Sequence, residues 1–108
     1  MSFINLFLLS AIEIFGDFNY KSFARTFDIG DFIRGTIGYI GVIYYLIKSF
    51  MDGNVMYVNG MWDGISGLLT SLAAYFILGE RLHSLNQYIG IALICFGTLL
   101  LHSGGITY

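Results

Sequence analysis

The strongest constraint on this chain is the length of its apolar runs. Four stretches are mostly apolar: Phe3 to about Tyr20, about Phe32 to Phe50, Val55 to Leu78, and about Leu85 to Leu101. A bilayer core takes about 20 such residues per helix. Only 11% of the residues are charged and 56% are hydrophobic, whereas a soluble domain carries about 25% charged residues. A chain so composed cannot cover itself with polar side chains in water. The pattern predicts an all-α fold: an integral membrane four-transmembrane-helix bundle forming one domain over residues 1–108. There are 14 glycines and no proline. Glycine is costly in a soluble helix but lets membrane helices approach closely. The third stretch reads most clearly, because Gly64–Leu78 carries no charge, and the first least clearly, because Glu13 and Asp17 lie within it.

The connections are short. Lys21–Asp31 joins the first two stretches, Met51-Asp52-Gly53-Asn54 suits a tight turn, and Gly79–Ser84 joins the last two, with Gly79 as helix C-cap. The amino-terminal stretch has no Lys or Arg before it, is interrupted by Glu13, and has no small-residue cleavage pattern. It is therefore expected to be a retained span and not a signal peptide. The first and third connections fall on one side of the membrane with Lys21, Arg25, Arg34 and Arg81, against Lys48 on the other. The positive-inside rule then places these two connections inside. The expected location is a cell inner membrane or its equivalent, crossed several times. With five Lys and Arg, unclustered, and a net charge of −2, the chain lacks the basic face that nucleic acid requires. Cys95 is the single cysteine and reads as a small buried hydrophobe, so neither an intrachain disulfide nor a cysteine metal site is expected. No cofactor or metal is expected, with His83 and His102 at connection and terminal positions. No Ser–His–Asp arrangement or phosphate loop is present, so the chain is not expected to be an enzyme.

The acids concentrate the functional question. At about 100° per residue, Ser10, Glu13, Asp17 and Lys21 fall on one stripe of the first helix, at spacings of 3, 4 and 4. A carboxylate near the bilayer centre costs about 2.5–3.5 kcal/mol on insertion scales, so the stripe must face protein or a water-filled cavity. An internal ion pair between Asp17 and Lys21, one turn apart, is one reading. Glu13 lies deeper and two turns from Lys21, which favours a site that exchanges a proton for a cation. On the third helix, Asn59, Asp63, Ser66 and Thr70 form a polar line beside a smooth line of Gly60, Gly64, Gly67 and Ser71. One flank is thus able to meet a helix closely while the other presents polar groups. Internal hydrogen bonding between helices is the alternative for this line. Tyr39, on the second helix with Gly35, Gly38 and Gly41, and Trp62, in mid-helix beside the polar line, offer aromatic faces for a cation. Gly90, Ile94, Gly97 and Leu101 form an uncharged stripe on the fourth helix that reads as an association surface.

These residues, in this order, resemble the small multidrug resistance family of proton-coupled exporters. Ile12-Glu13-Ile14-Phe15-Gly16 with Lys21 is similar to the family's glutamate signature, and Gly35-Thr36-Ile37 with Tyr39 falls in the matching places. Trp62-Asp63-Gly64 resembles its Trp-x-Gly, Gly79-Glu80-Arg81-Leu82 its last loop, and Gly90–Gly97 its fourth-helix stripe. The resemblance implies an antiparallel homodimer in which two copies of Glu13 form one site shared by protons and a cationic substrate. Tyr39 and Trp62 would line that site, Gly64 and its neighbours Gly60 and Gly67 would form a hinge, and the fourth helices would hold the dimer. Asp17, Asn59 and Asp63 depart from the family pattern. They remove an aromatic and add acids, which suits a small, hydrated or polyvalent cation better than a hydrophobic drug. The expected activity is proton-coupled export of such a cation, with lipid, protons and a second copy as partners. The alternative is a structural subunit of a larger membrane assembly that has kept the scaffold without transport, with other membrane proteins as its partners.

Overall fold

A computed structural model of the chain describes residues 2–105. Four helices account for its regular structure: α1 Ser2–Thr26, α2 Ile29–Asp52, α3 Val55–Phe76 and α4 Leu85–Ser103. The all-α class is as expected, but several boundaries differ, and α2 runs from Ile29 to Asp52, so that Met51 and Asp52 of the expected turn are helical. α1 continues through Thr26, so Lys21 and Arg25 are helical and the first connection shrinks to Phe27-Asp28. The extension is held by contacts that hydropathy does not register. Phe23 packs against Phe27 and Phe32, at ring-centroid distances of 5.6 and 5.3 Å. The Ser22 hydroxyl donates to Asp31 at 2.6 Å, and Arg34 Nε donates to Asn19 Oδ1 at 3.1 Å. Phe27 reverses the chain from a left-handed conformation (φ 55°), uncommon for a bulky residue. Asp28 then caps α2, accepting from the Gly30 amide at 2.9 Å.

α3 ends at Phe76, short of the expected Leu78, while α4 runs to Ser103, past the expected Leu101. Gly79 helps end α3 from the left-handed region (φ 71°), just past the cap residue Ile77. This lets the Glu80 amide reach back to the Ala74 carbonyl at 3.1 Å, which satisfies a carbonyl in the last turn of the helix. Asn54 caps α3 by accepting from the Tyr57 amide at 2.8 Å. Ser84 and Gln87 form a capping box at the start of α4.

The expected bundle does not close. The helices lie in a row, α2–α1–α3–α4, with slight contact between α2 and α3, and α4 meets α3 alone. The molecule is a slab of 43 × 35 × 17 Å. α1 is central because glycine brings α2 against it. A Cβ on Gly38 would stand 3.1 Å from Gly16 Cα, and one on Gly41 would stand 3.1 Å from Ile12 Cγ2. Leu6, Tyr57, Val58 and Met61 form the buried cluster between α1 and α3, whereas α4 has no buried residue. Large apolar side chains line the open surface, among them Ile33, Ile37, Ile40, Ile43 and Ile47 of α2 and Leu93, Phe96 and Leu99 of α4.

Among the described residues one helix, α4, is long and apolar enough by itself to cross a membrane. This reverses the expectation that the third stretch is the clearest span. α3 contains Asn59, Asp63 and Gly60, Gly64 and Gly67, whereas α4 carries no Asp, Glu, Lys or Arg.

Candidate functional site

The Glu13 stripe of α1 lies between α2 and α3, so the acids face protein groups on both sides. The Ser66 hydroxyl of α3 donates to Glu13 Oε1, joining the first-helix stripe to the third-helix polar line. The Tyr39 hydroxyl of α2 donates to Asp17 Oδ1. Asp17 and Asp63 both act electrostatically on Glu13, and the Trp62 indole lies near it without a hydrogen bond to it. Glu13 and Ser66, and Asp17 and Tyr39, thus link α1 to its neighbours on both sides, with Trp62 and Asp63 beside them on α3.

Local backbone makes this possible. Gly16 leaves room for the Tyr39 ring, since a Cβ there would stand 2.8 Å from Tyr39 Cδ2. Tyr39 stacks on Tyr20 with centroids 5.4 Å apart and planes at 18°. Tyr20 is held in turn by a 2.9 Å hydrogen bond with Thr36 Oγ1. A Cβ on Gly35 would overlap the Tyr20 ring, so the two glycines seat the two tyrosines.

The Asp17–Lys21 pair, one of the two readings of this stripe, does not form. Lys21 instead pairs with Glu80, beyond the end of α3, and Asp17 takes the tyrosine hydroxyl. Ion pairing is thus moved to the exposed end of the slab, and the deeper acids keep uncharged donors. Asn59 and Asp63 are exposed along the open side of α3. Three polar atoms next to the cluster in sequence, Ser10 Oγ, Trp62 Nε1 and Thr70 Oγ1, are buried without a hydrogen-bond partner among the described residues. They flank the Glu13–Ser66 contact by about one helical turn each. Among the described residues no three His, Cys, Asp or Glu side chains converge as metal ligands would.

The glycines and the fourth-helix stripe divide more finely than the sequence pattern implied. Gly60 faces Leu101 Cδ2 and Gly64 faces Thr98, so these two seat α4 on α3, while nothing lies within 4 Å of a Cβ built on Gly67, Gly90 or Gly97. Leu101 packs within its own chain against the buried cluster, and Ile94 is half exposed. Sequence reasoning left three contributors out of the site: Ser66 as the partner of Glu13, Tyr20 as the support of Tyr39, and Gly16 as the space that Tyr39 needs. The Ser66 signal was present, one turn beyond Asp63 on the polar line.

The chain matches no protein-family model, no curated protein and no solved structure.

Proposed function

We propose that this chain is a multi-pass membrane protein that exchanges protons for a small cation, acting as an antiparallel homodimer of four-helix protomers. The observation that carries the reading is Glu13, a carboxylate in the interior of the 25-residue helix α1, which meets Ser66 of α3 and feels the acids Asp17 and Asp63. A group so placed binds either a proton or a cation, and the competition between them couples the two flows. Trp62 and Tyr39 supply aromatic faces beside the acids. An organic cation is favoured over a metal ion, because the carboxylates are spread over two helices and one of them is engaged by a tyrosine.

The flat row of helices supports a dimeric membrane protein. A single layer of helices buries little on either face, and the many exposed large hydrophobics call for lipid or a second copy against them. Two copies in opposed orientations supply the inverted repeats that transporters use.

The test is cation-driven proton release from the purified chain in liposomes. Glu13→Gln is expected to abolish both cation binding and coupled proton movement, a loss of at least about a hundredfold for removal of an essential proton carrier. Wild-type exchange in that variant overturns the proposal.

A further inference from the structure

The groove between α3 and α4 is separate from the Glu13 cluster. Two adjoining cavities of about 430 and 330 Å³ share Ser71, Tyr75, Tyr88 and Ile91 and so form one continuous slot. Its polar end is built by Glu80 and Arg81 of the connection, and its apolar end by Leu68, Leu72 and Phe76 of α3. At about 1.5 Å per residue, the slot runs about 12 Å down α3 from Phe76 to Leu68.

Arg81 is fixed before any ligand arrives. Its guanidinium lies over the Tyr75 ring, 3.6 Å from the centroid. Its Nη1 donates to the carbonyls of Tyr75 and Glu80, each at 2.8 Å. A guanidinium has more N–H donors than these two bonds use. The neighbouring Glu80 carboxylate is paired with Lys21, so the Arg81 charge is not cancelled by it. Tyr88 accepts from the Leu82 amide at 3.0 Å and keeps its own O–H to donate. The mouth thus offers a fixed cation and a phenol donor, with an apolar slot directly beneath.

We propose that this groove binds an anionic phospholipid, with its phosphodiester at Arg81 and Tyr88 and an acyl chain along Leu72 and Phe76. The order of the two ends selects a lipid over a soluble phosphate. The polar residues belong to the connection, at head-group depth, and the apolar ones lie one to two turns deeper, where a chain runs. A zwitterionic choline head group would set a second cation beside Arg81. Bound there, the lipid gives α4, which meets α3 alone, a second set of contacts. The inference rests on the membrane reading above and is independent of transport.

The experiment is native mass spectrometry of the full chain in detergent with equimolar phosphatidylglycerol and phosphatidylcholine. The wild type is expected to retain phosphatidylglycerol about tenfold over phosphatidylcholine, the scale of one charge-assisted contact. Arg81→Gln is expected to remove the preference and Arg81→Lys to keep most of it. Ile91→Trp, which fills the slot without touching the guanidinium, is expected to lower retention of both lipids. Circular dichroism checks that each variant is folded. Equal retention of the two lipids by the wild type, or an unchanged preference in folded Arg81→Gln, overturns the proposal. So does displacement by the deacylated head group, glycerophosphoglycerol, at concentrations comparable to the lipid, which marks a soluble-phosphate site. A chain that stays in solution without detergent and takes up neither lipid breaks the membrane reading itself. A chain that needs detergent but shows no preference loses only the lipid site.

Discussion

The α1–α2 pair and the α3–α4 pair are both helical hairpins of apolar helices, yet they are held by different means. α1 and α2 meet at backbone level through Gly16, Gly35 and Gly38. Polar bonds run across the seam: Asp17 with Tyr39, Tyr20 with Thr36, Ser22 with Asp31, and Asn19 with Arg34. α3 and α4 meet through two glycines that accept Leu101 and Thr98, and much of α4 stays open. On the membrane reading proposed above, an apolar surface gains little by leaving the lipid tails, so small residues and polar groups decide which helices pack. α1, which carries Glu13 and Asp17, is therefore central, and α4, with no Asp, Glu, Lys or Arg, is peripheral.

The largest effect is expected where backbone meets backbone. In Gly38→Leu the new side chain begins 3.1 Å from Gly16 Cα and from Phe15 Cδ2, and the backbone cannot step aside as a flexible side chain can. Overpacking of this kind costs about 1–3 kcal/mol, and more where the backbone is the obstacle. Unfolding by a graded denaturing detergent is expected to show the variant destabilised by about 3 kcal/mol, with the hydrogen bond between Tyr39 and Asp17 broken. Gly97→Leu on α4, where nothing of its own chain lies within 4 Å, is the control, with both variants measured as detergent-dispersed monomers so that the proposed dimer contact plays no part. Equal destabilisation of the two variants would break the contrast between the hairpins.

A smaller effect separates two glycines of one helix. A Cβ on Gly64 would stand 2.7 Å from Thr98 Cβ and Cγ2. Thr98 cannot swing away freely, because its hydroxyl donates to the Ile94 carbonyl at 2.8 Å. Gly64→Ala is expected to cost about 1–2 kcal/mol by pushing α4 off α3. Gly67→Ala meets nothing and is expected to stay within about 0.5 kcal/mol of wild type. The same denaturing-detergent assay, with Thr98→Gly as the rescue of Gly64→Ala, sharpens which glycines pack and which only line an open face.

How far the sequence told this in advance follows the same division. Helix number, order and approximate extent were legible, because apolar runs of about 20 residues separated by short polar connections are too long for strands. The Glu13 stripe was legible because helical spacing alone places Ser10, Glu13 and Asp17 on one face. The partners were less so. Lys21 is one turn from Asp17 but bonds to Glu80, 59 positions along the chain, and no local rule ranks the two. The row in place of a bundle was hidden as well. Hydropathy counts how apolar α4 is, not that it has a single neighbour. The six added residues of α1 depend on Phe23 meeting Phe32 across the turn, a tertiary contact with no periodic signature.

The smallest effect concerns the exposed end of the α1–α2 seam. Asp31 precedes the apolar run that starts at Phe32. The Ser22 hydroxyl, with Arg34 adding to it, holds its carboxyl below the ordinary 3.8. A carboxylate depressed in the folded state contributes stability that is present in full above its unfolded value and is lost as pH falls through the folded one. The contribution is therefore constant at neutral pH and fades below about pH 3.8. Asp31→Asn removes it at every pH. Amide exchange over residues 26–32 is expected to be faster in Asp31→Asn than in wild type at pH 6, with the two converging as pH drops below that value. Subtracting the variant isolates Asp31 from the Lys21–Glu80 pair, which acid also weakens in both chains. A difference that persists unchanged to pH 2 would mean that the carboxylate charge is not what Ser22 and Arg34 hold. The α1–α2 connection would then rest on the Phe23–Phe27–Phe32 cluster, the Arg34–Asn19 bond and the Asp28 cap, and the Asp31 carboxylate would add nothing to this end of the seam.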